Sequence, residues 1–239
     1  MKIAIDPEIF RAFPGYVRHV LIAEGVDNSS GPERHPELER RLREREAAIR
    51  ADDCLADLKV HPRLAPWRHA FEAMRVNPNK CPPSICNLVK RVRGGTAMPF
   101  VNPLVCLFNI VSLGHLLPAG GDDLDKVVGD IRLGYARGSE TYVPLGRPEE
   151  QEHPAPGEVI LTDTGNGDVF CRAWCWKNGH ASRIEAHTRR VAINLDALPP
   201  IAPEEAAAAA QELAALLRAA CGGTVRIERL DPGRPSIEL

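Results

Sequence analysis

Two amides and a cation lie close together in the sequence Asn77-Pro78-Asn79-Lys80. Pro78 predicts a tight turn, which would bring the side chains of Asn77, Asn79 and Lys80 together. Such a cluster can hydrogen-bond the ribose or the phosphate at the end of a nucleic acid. The alternative is an Asx-turn, in which an asparagine side chain bonds its own backbone.

A second group of candidate residues is Arg172, Trp174 and Trp176. The segment Asp168 to Trp176 is predicted to be a strand, so these alternate residues would share one face. A cation and two indole rings on one face suit the stacking of an adenine or of an amino-acid ring. Packing of the tryptophans in the core is the alternative.

Three further candidates interrupt apolar sequence. Asn109 lies in an apolar run, so a buried Asn109 must find hydrogen-bond partners, either by lining a pocket or by tying two strands together. Gly120 and Gly121 would let a substrate approach the backbone closely, or they form an ordinary turn.

Familiar motifs of phosphate, dinucleotide, zinc and serine-hydrolase sites are missing from the sequence. His180 and His187 are separated by six residues on a predicted loop, which is not a recurring ligand spacing. We therefore expect neither a metal nor a cofactor. The seven cysteines form no CxxC pair, and we interpret them as reduced core residues. A cysteine nucleophile with a histidine distant in sequence stays open.

The elements that must position these residues alternate irregularly. Helices are predicted at Pro36 to Ala51, Pro66 to Met74, Ser84 to Arg93 and Pro203 to Cys221, the first being a charged surface helix within residues 33–51. Strands are predicted at Tyr16 to Ala23, Ile131 to Tyr135, Glu158 to Thr162, Val191 to Leu195 and Thr224 to Leu230, with a hairpin turn at Gly165-Asn166-Gly167. Because no regular βαβ alternation occurs, we predict an α+β fold, with mixed sheets packed against helices in a single compact domain over residues 1–239.

Charge is distributed unevenly along the 239 residues, although the net charge is only −2. Residues 61–95 carry +6 and residues 138–168 carry −6. The basic segment can track a phosphate backbone, or the two segments can neutralise each other in the fold. The candidate RNA-binding residues are Arg68, Arg75, Lys90, Arg91 and Arg93.

Composition is ordinary for a globular protein, with 44% hydrophobic and 26% charged residues. The first residues lack the apolar core of a signal peptide. The most apolar stretch, residues 101–121, contains asparagines, prolines and a histidine that would be costly in lipid. We therefore expect a cytoplasmic protein that does not enter a membrane.

Longer segments resemble a known family. They are Trp67 to Ser84, Pro99 to Leu113, Leu117 to Asp125, Gly157 to Ile160 and Arg172 to Trp176. Together they resemble the B3/B4 domain of the β subunit of bacterial phenylalanyl-tRNA synthetase, which also occurs as a free-standing protein of about this length. The resemblance covers about residues 60–200 and implies the B3/B4 fold.

In the synthetase, this module hydrolyses the ester of a mischarged tRNA, chiefly one carrying tyrosine. Its pocket binds the aminoacyl end and positions a water, without a covalent nucleophile. The resemblance therefore implies tRNA and an amino-acid side chain as partners, and no DNA. Positioning and oxyanion stabilisation can suffice for an activated ester. Because 239 residues leave no room for a synthetase core, we do not expect the chain to charge tRNA by itself.

This sequence departs from the synthetase pattern at two places. Gly120-Gly121-Asp122 stands where the module has a histidine beside an aromatic residue, and Asn194 stands where it has a glutamate that reads the tyrosine hydroxyl. Losing a buried hydroxyl-reading group changes discrimination sharply, so the resemblance does not carry tyrosine specificity to this chain.

Three other polar residues, Glu140, Asp163 and Thr188, are candidates to bind the water or the α-amino group, with surface roles as the alternative. No residue is assigned as catalytic. Three hypotheses stay open: a deacylase of mischarged tRNA acting in trans, a non-catalytic module that binds RNA or an amino acid, and a protein acting on another amino-acid derivative.

Overall fold

Ten strands and six helices make up the computed structural model, which describes residues 1–239. The strands are β1 (Lys2–Ile5), β2 (Val17–Glu24), β3 (Ala119–Asp123), β4 (Ile131–Tyr135), β5 (Val159–Asp163), β6 (Val169–Arg172), β7 (Lys177–Asn178), β8 (Arg190–Ala197), β9 (Thr224–Leu230) and β10 (Ser236–Glu238). The helices are α1 (Pro7–Ala12), α2 (Pro36–Ala51), α3 (Ala65–Ala73), α4 (Ser84–Arg93), α5 (Pro103–His115) and α6 (Pro203–Cys221).

Two sheets form the framework. The first has the strand order β10-β1-β4-β5-β6-β7, in which β1 and β4 are parallel and the other pairs are antiparallel. The second has the order β3-β8-β2-β9 and is antiparallel throughout. A cluster of 60 buried hydrophobic residues joins both sheets to the helices. The predicted α+β fold with mixed sheets is confirmed.

Helices with an apolar stripe begin and end within one residue of the predicted bounds, and the helix predicted at Pro66 to Met74 is found at Ala65–Ala73. Helix α4 buries Ile85, Val89 and Val92 along one side. Helix α6 begins at Pro203 and ends before Gly222, whose φ of 66° suits glycine. Both ends follow from local chemistry, because proline needs no backbone donor in a first turn and glycine tolerates a positive φ.

Helix α5 occupies the centre of the core and has no counterpart among the predicted elements. Asn102 caps it, because its Oδ1 accepts a hydrogen bond from Val105 N at 3.0 Å. Nine of its thirteen residues are buried, so the sequence shows no amphipathic period. None of the six helices combines the length and the apolar character that crossing a bilayer requires.

The hairpin predicted at Gly165-Asn166-Gly167 is present between β5 and β6. The strand predicted from Asp168 to Trp176 is wrong beyond Arg172, where the chain enters a turn with positive φ at Ala173 (44°) and Trp174 (65°). Arg172, Trp174 and Trp176 therefore do not share a strand face. The suggestion that Asn109 ties two strands together is also wrong, because Asn109 lies on α5.

Candidate active site

A cavity of about 130 Å³ opens between the two sheets. The face of the second sheet contributes Arg18, Gly120, Asp122, Asn194 and Asp196, which share one face by register. Leu161 and Cys171 of the first sheet and the segment Trp174 to Trp176 close the opposite side. Pro118, Ala119, Gly121, Asn178 and Ser84, the first residue of α4, complete the lining.

A buried ion pair forms the floor of this cavity. Arg18 Nε donates to Asp196 Oδ1 at 2.7 Å and Arg18 Nη2 donates to Asp196 Oδ2 at 2.9 Å. Tyr16 Oη donates to the same Oδ1 at 2.6 Å. Arg18 is only 1% exposed, and its Nη1 makes no hydrogen bond. The two N–H groups of Nη1 therefore remain without an acceptor at a residue that lines the cavity.

Asp122 supplies a second, separate carboxyl group. It is 6% exposed, accepts a hydrogen bond from Ser182 Oγ at 2.6 Å and lies 3.5 Å from Asn194 Nδ2. Burial raises the pKa of Asp122 to about 6, against the smaller opposing effects of Ser182 and Arg18. Asp122 can therefore exchange a proton near neutral pH, as a general base must.

Cys171 and Cys175 also line the cavity. Burial raises the pKa of the Cys171 thiol to about 12 and the pKa of the Cys175 thiol well above its ordinary value. Both are thiols rather than thiolates at neutral pH, so the nucleophilic form is scarce. The hypothesis of a cysteine nucleophile gains nothing from these two residues.

The strained turn after β6 is held by a buried carboxylate. Glu158 accepts from Arg172 Nη2 at 2.8 Å, from Arg172 Nε at 3.0 Å and from Ala173 N at 2.9 Å. The ring of Trp174 packs against Tyr16 and Trp67, with centroids 4.7 and 5.3 Å apart. Such non-glycine residues with positive φ persist only where the surroundings impose them, and here they shape the cavity wall.

The two glycines of β3 have different roles. A Cβ on Gly121 would lie 2.7 Å from Phe108 Cζ of α5, so Gly121 is required for packing of the helix on the strand. A Cβ on Gly120 would meet nothing closer than 3.9 Å, in the side chain of Asn178. Gly120 is therefore the glycine whose small size leaves cavity space for a ligand.

A family profile, the B3/4 domain, matches residues 66–222, which is more than half of the chain. The chain belongs to the B3/4 domain family. Among solved structures, this B3/4 protein is similar to an N-terminal fragment of the phenylalanyl-tRNA synthetase β subunit from Pyrococcus horikoshii. The two share 15% identity with a TM-score of 0.48, over 94% of this chain and 50% of the other. The B3/4 protein thus spans about half the length of that fragment. Comparison with curated proteins gave no match.

Six residues predicted from the sequence of the B3/4 protein meet at the cavity: Gly120, Gly121, Asp122, Trp174, Trp176 and Asn194. Asn77, Asn79 and Lys80 lie outside its lining. Asn77 Oδ1 accepts from Asn79 N at 2.9 Å, and Asn79 Oδ1 accepts from Arg68 Nη2 at 2.9 Å. The first bond is that of the Asx-turn, and Lys80 is exposed.

The remaining predicted substrate contacts of the B3/4 protein lie outside the cavity lining, and all but Asn109 support loops or turns. Glu140 accepts from the backbone N–H groups of Arg137 and Gly138 at 3.0 and 2.9 Å. Thr188 Oγ1 donates to Asp123 Oδ2 at 2.7 Å. Arg172 holds the turn after β6 through Glu158, and Asp163 accepts from three backbone N–H groups. Asn109 is half-buried on α5 and makes no side-chain hydrogen bond.

Most cations in the basic segment 61–95 of the B3/4 protein form no ion pair. Of its seven Lys and Arg residues, only Arg63 forms an ion pair, with Glu205. No ion pair therefore joins this segment to the acidic residues 138–168. Arg75, Lys90 and Arg91 are exposed, whereas Arg93 donates to the carbonyls of Ile49 and Asp52.

Sequence reasoning missed the ion pair of Arg18 and Asp196 in the lining of the cavity of the B3/4 protein, and the hydroxyls of Tyr16 and Ser182 that donate to Asp196 and Asp122. Arg18 and Asp196 each interrupt an apolar strand, β2 or β8, which is the signal that could have found them. A charge buried inside a strand requires a partner, so Arg18 within β2 and Asp196 within β8 were candidates to pair.

Proposed function

We propose that this B3/4 protein binds the aminoacyl end of tRNA in the cytoplasm and hydrolyses the ester of mischarged aminoacyl-tRNA in trans. The observation that carries the proposal is the buried carboxyl of Asp122 beside the partly unpartnered guanidinium of Arg18, in one cavity between the sheets. Family membership adds support, because it is the family that the sequence resemblance indicates.

The charges of the cavity favour an aminoacyl ester over an anionic ligand. Asp122 and Asp196 face a single cation, Arg18, so the cavity has a net charge of −1 once Asp122 is ionised. An aminoacyl ester carries an α-ammonium group and no carboxylate. Net negative charge attracts that cation, and the low local polarity strengthens the attraction.

Asp122 supports hydrolysis by general base catalysis. As water attacks the ester carbonyl carbon, Asp122 takes the proton from the water, and the ribose hydroxyl leaves with a proton as the ester bond breaks. The unpartnered Nη1 of Arg18 is the donor available to the developing oxyanion. Neither step needs a covalent intermediate.

The basic segment supports the approach of tRNA. Ser84 at the start of α4 lines the cavity, and Lys90 and Arg91 lie six and seven residues further along the same helix. At 1.5 Å per residue, these cations lie roughly 10 Å along the helix axis from the cavity. Exposed cations at that distance can bind the phosphates of a strand whose end enters the cavity.

Release of a labelled amino acid from a panel of mischarged tRNAs tests the proposal. We expect at least one tRNA to be deacylated, with a rate that rises with pH through about 6 as Asp122 ionises. Asp122→Asn should lower the rate by about 10²–10⁴-fold, since it removes the base. Asp125→Asn, which changes an exposed carboxylate three residues away, is the matched control.

Failure to deacylate any member of the panel would overturn the enzymatic proposal. If the variant Asp122→Asn is as active as the wild type, the hydrolysis stands but Asp122 is not its general base. Both measurements use the intact protein, and the control variant separates loss of the base from general loss of charge.

One observation favours a second candidate, a non-catalytic module that binds a free amino acid. The unpartnered Nη1 of Arg18 can donate to a carboxylate, which a free amino acid has and an aminoacyl ester lacks. Calorimetry with a panel of free amino acids distinguishes the two. Saturable binding of a free amino acid without any deacylation would favour this candidate.

A further inference from the structure

Trp176 differs from the other two tryptophans in exposure. Trp67 and Trp174 are 0% and 2% exposed and pack on each other in the core. Trp176 is half-buried and lines the cavity. Its indole is therefore the accessible aromatic surface at the site.

Two cations lie over the ring of Trp176. Arg172 Cζ lies 5.5 Å and Lys177 Nζ lies 5.9 Å from its centroid. The same two atoms lie 5.7 and 5.9 Å from the centroid of Tyr142, so they occupy the side of Trp176 that faces Tyr142. These cation–π contacts hold the indole of Trp176 in place at the edge of the cavity that it lines.

Lys177 and Asn178 add polar groups beside this ring. Arg172 is bound by Glu158 and Glu152, whereas Lys177 is exposed and forms no ion pair. The charge of Lys177 is therefore available to a phosphate. Asn178 is exposed, lines the cavity and makes no hydrogen bond through its side-chain amide. A side-chain amide offers one acceptor and two donors, the pattern that matches the N6 and N7 edge of adenine.

We infer that Trp176, Lys177 and Asn178 bind the terminal adenosine nucleotide of tRNA. The adenine stacks on Trp176, the amide of Asn178 reads its edge, and Lys177 contacts the adjacent phosphate. The inference rests on the proposed function, because the aminoacyl group is esterified to this nucleotide. A base stacked at the cavity directs its ribose ester toward Asp122, which makes Trp176 a positioning residue.

Binding of uncharged tRNA by the full protein tests this inference. Wild-type protein should bind tRNA with its terminal adenosine about 5- to 150-fold more tightly than tRNA lacking only that nucleotide, the range for one stacked base. Trp176→Ala should remove this preference, and Trp176→Phe should retain most of it. Lys177→Ala should weaken binding of the complete tRNA and reduce the salt dependence of that binding, whereas Lys59→Ala, at an exposed lysine outside the cavity lining, should change neither.

A second measurement does not depend on the rest of tRNA. The indole N–H signal of Trp176, assigned in an NMR spectrum through Trp176→Phe, should shift when a short single-stranded RNA ending in adenosine is added. The signals of buried Trp67 and Trp174 should shift less. Denaturant unfolding of Trp176→Ala separates loss of binding from loss of folding.

The inference is overturned if wild-type protein binds the two tRNAs equally, or if the Trp176 signal stays unmoved. It is also overturned if folded Trp176→Ala deacylates with an unchanged KM. If binding behaves as expected but no ester is hydrolysed, the proposed function fails while the nucleotide site stands.

Discussion

The buried carboxyl of Asp122 links the stability of this protein to its proposed activity. Burial raises its pKa from 3.8 to about 6, so the folded protein holds this proton more tightly than the unfolded chain. Its contribution to stability is therefore fully present below pH about 4 and is lost as the pH rises through about 6. A difference of about two pKa units corresponds to roughly 3 kcal/mol, which is the destabilisation by the ionised carboxylate at neutral pH.

Asp122→Asn removes the charge and keeps the shape of the side chain. Ser182 Oγ can still donate to the remaining oxygen. The introduced amide nitrogen faces Asn194, whose Oδ1 has no partner and can accept after its amide turns over. We therefore expect the variant to be more stable than the wild type by up to about 3 kcal/mol at pH 7, with the gain vanishing below pH about 4.

Urea unfolding of both proteins between pH 4 and 8 measures this difference. Every other titrating group is common to the two proteins, so the difference in unfolding free energy reports on Asp122. Asp125→Asn should show no comparable pH-dependent gain, because Asp125 is exposed. If Asp122→Asn is no more stable than the wild type at pH 7, or if its gain is the same at every pH, the reasoning about Asp122 is refuted.

Three other predictions concern the residues that build the cavity. Arg18→Met leaves Asp196 buried without its cation, so urea unfolding should show a loss of about 3–5 kcal/mol. Gly121→Ala should lose about 1–3 kcal/mol in the same assay, because its Cβ would lie 2.7 Å from Phe108 Cζ. Cys171 should resist alkylation in the native protein at pH 8, as judged by mass spectrometry, because burial raises its pKa to about 12.

Each of these three predictions has a matched control. Arg40→Met breaks exposed ion pairs with Glu37 and Glu44 and should change stability by at most about 1 kcal/mol. Gly120→Ala should fold normally, since its Cβ would contact nothing within 3.9 Å. Cys54 is exposed and should be alkylated first. A control that changes as much as its partner variant would contradict the role assigned to the buried residue.

Several elements could be predicted because their residues show a clear period. Helix α4 carries an apolar stripe, and β9 alternates apolar and charged residues over Thr224–Leu230. Helix α5 could not, because a helix buried on most sides shows no stripe. Strand β3, with the sequence Ala-Gly-Gly-Asp-Asp, runs against strand propensity and forms because β8 offers it an edge.

The cavity depends on contacts between residues far apart in the chain. Arg18 and Asp196 lie opposite each other only because β2 pairs with β8 in that register. The alternation of residues 168–176 predicts Trp174 on the face of a strand, but Glu158 and the packing of aromatic rings bend the chain there instead. Such a bend is determined by tertiary contacts, which no local period records.

By itself, the sequence determined the α+β class, the family resemblance, the approximate bounds of the amphipathic elements and the basic segment 61–95. These properties are local, since composition, period and motif can be read along the chain. Only the tertiary structure decided that Arg18, Asp122, Asn194 and Asp196 enclose one cavity, and that Glu140 and Thr188 support loops. Enclosure and burial are relations between distant strands. Enclosure decides which polar groups are removed from water. It therefore raises the pKa of Asp122 and leaves Nη1 of Arg18 without a hydrogen-bond partner.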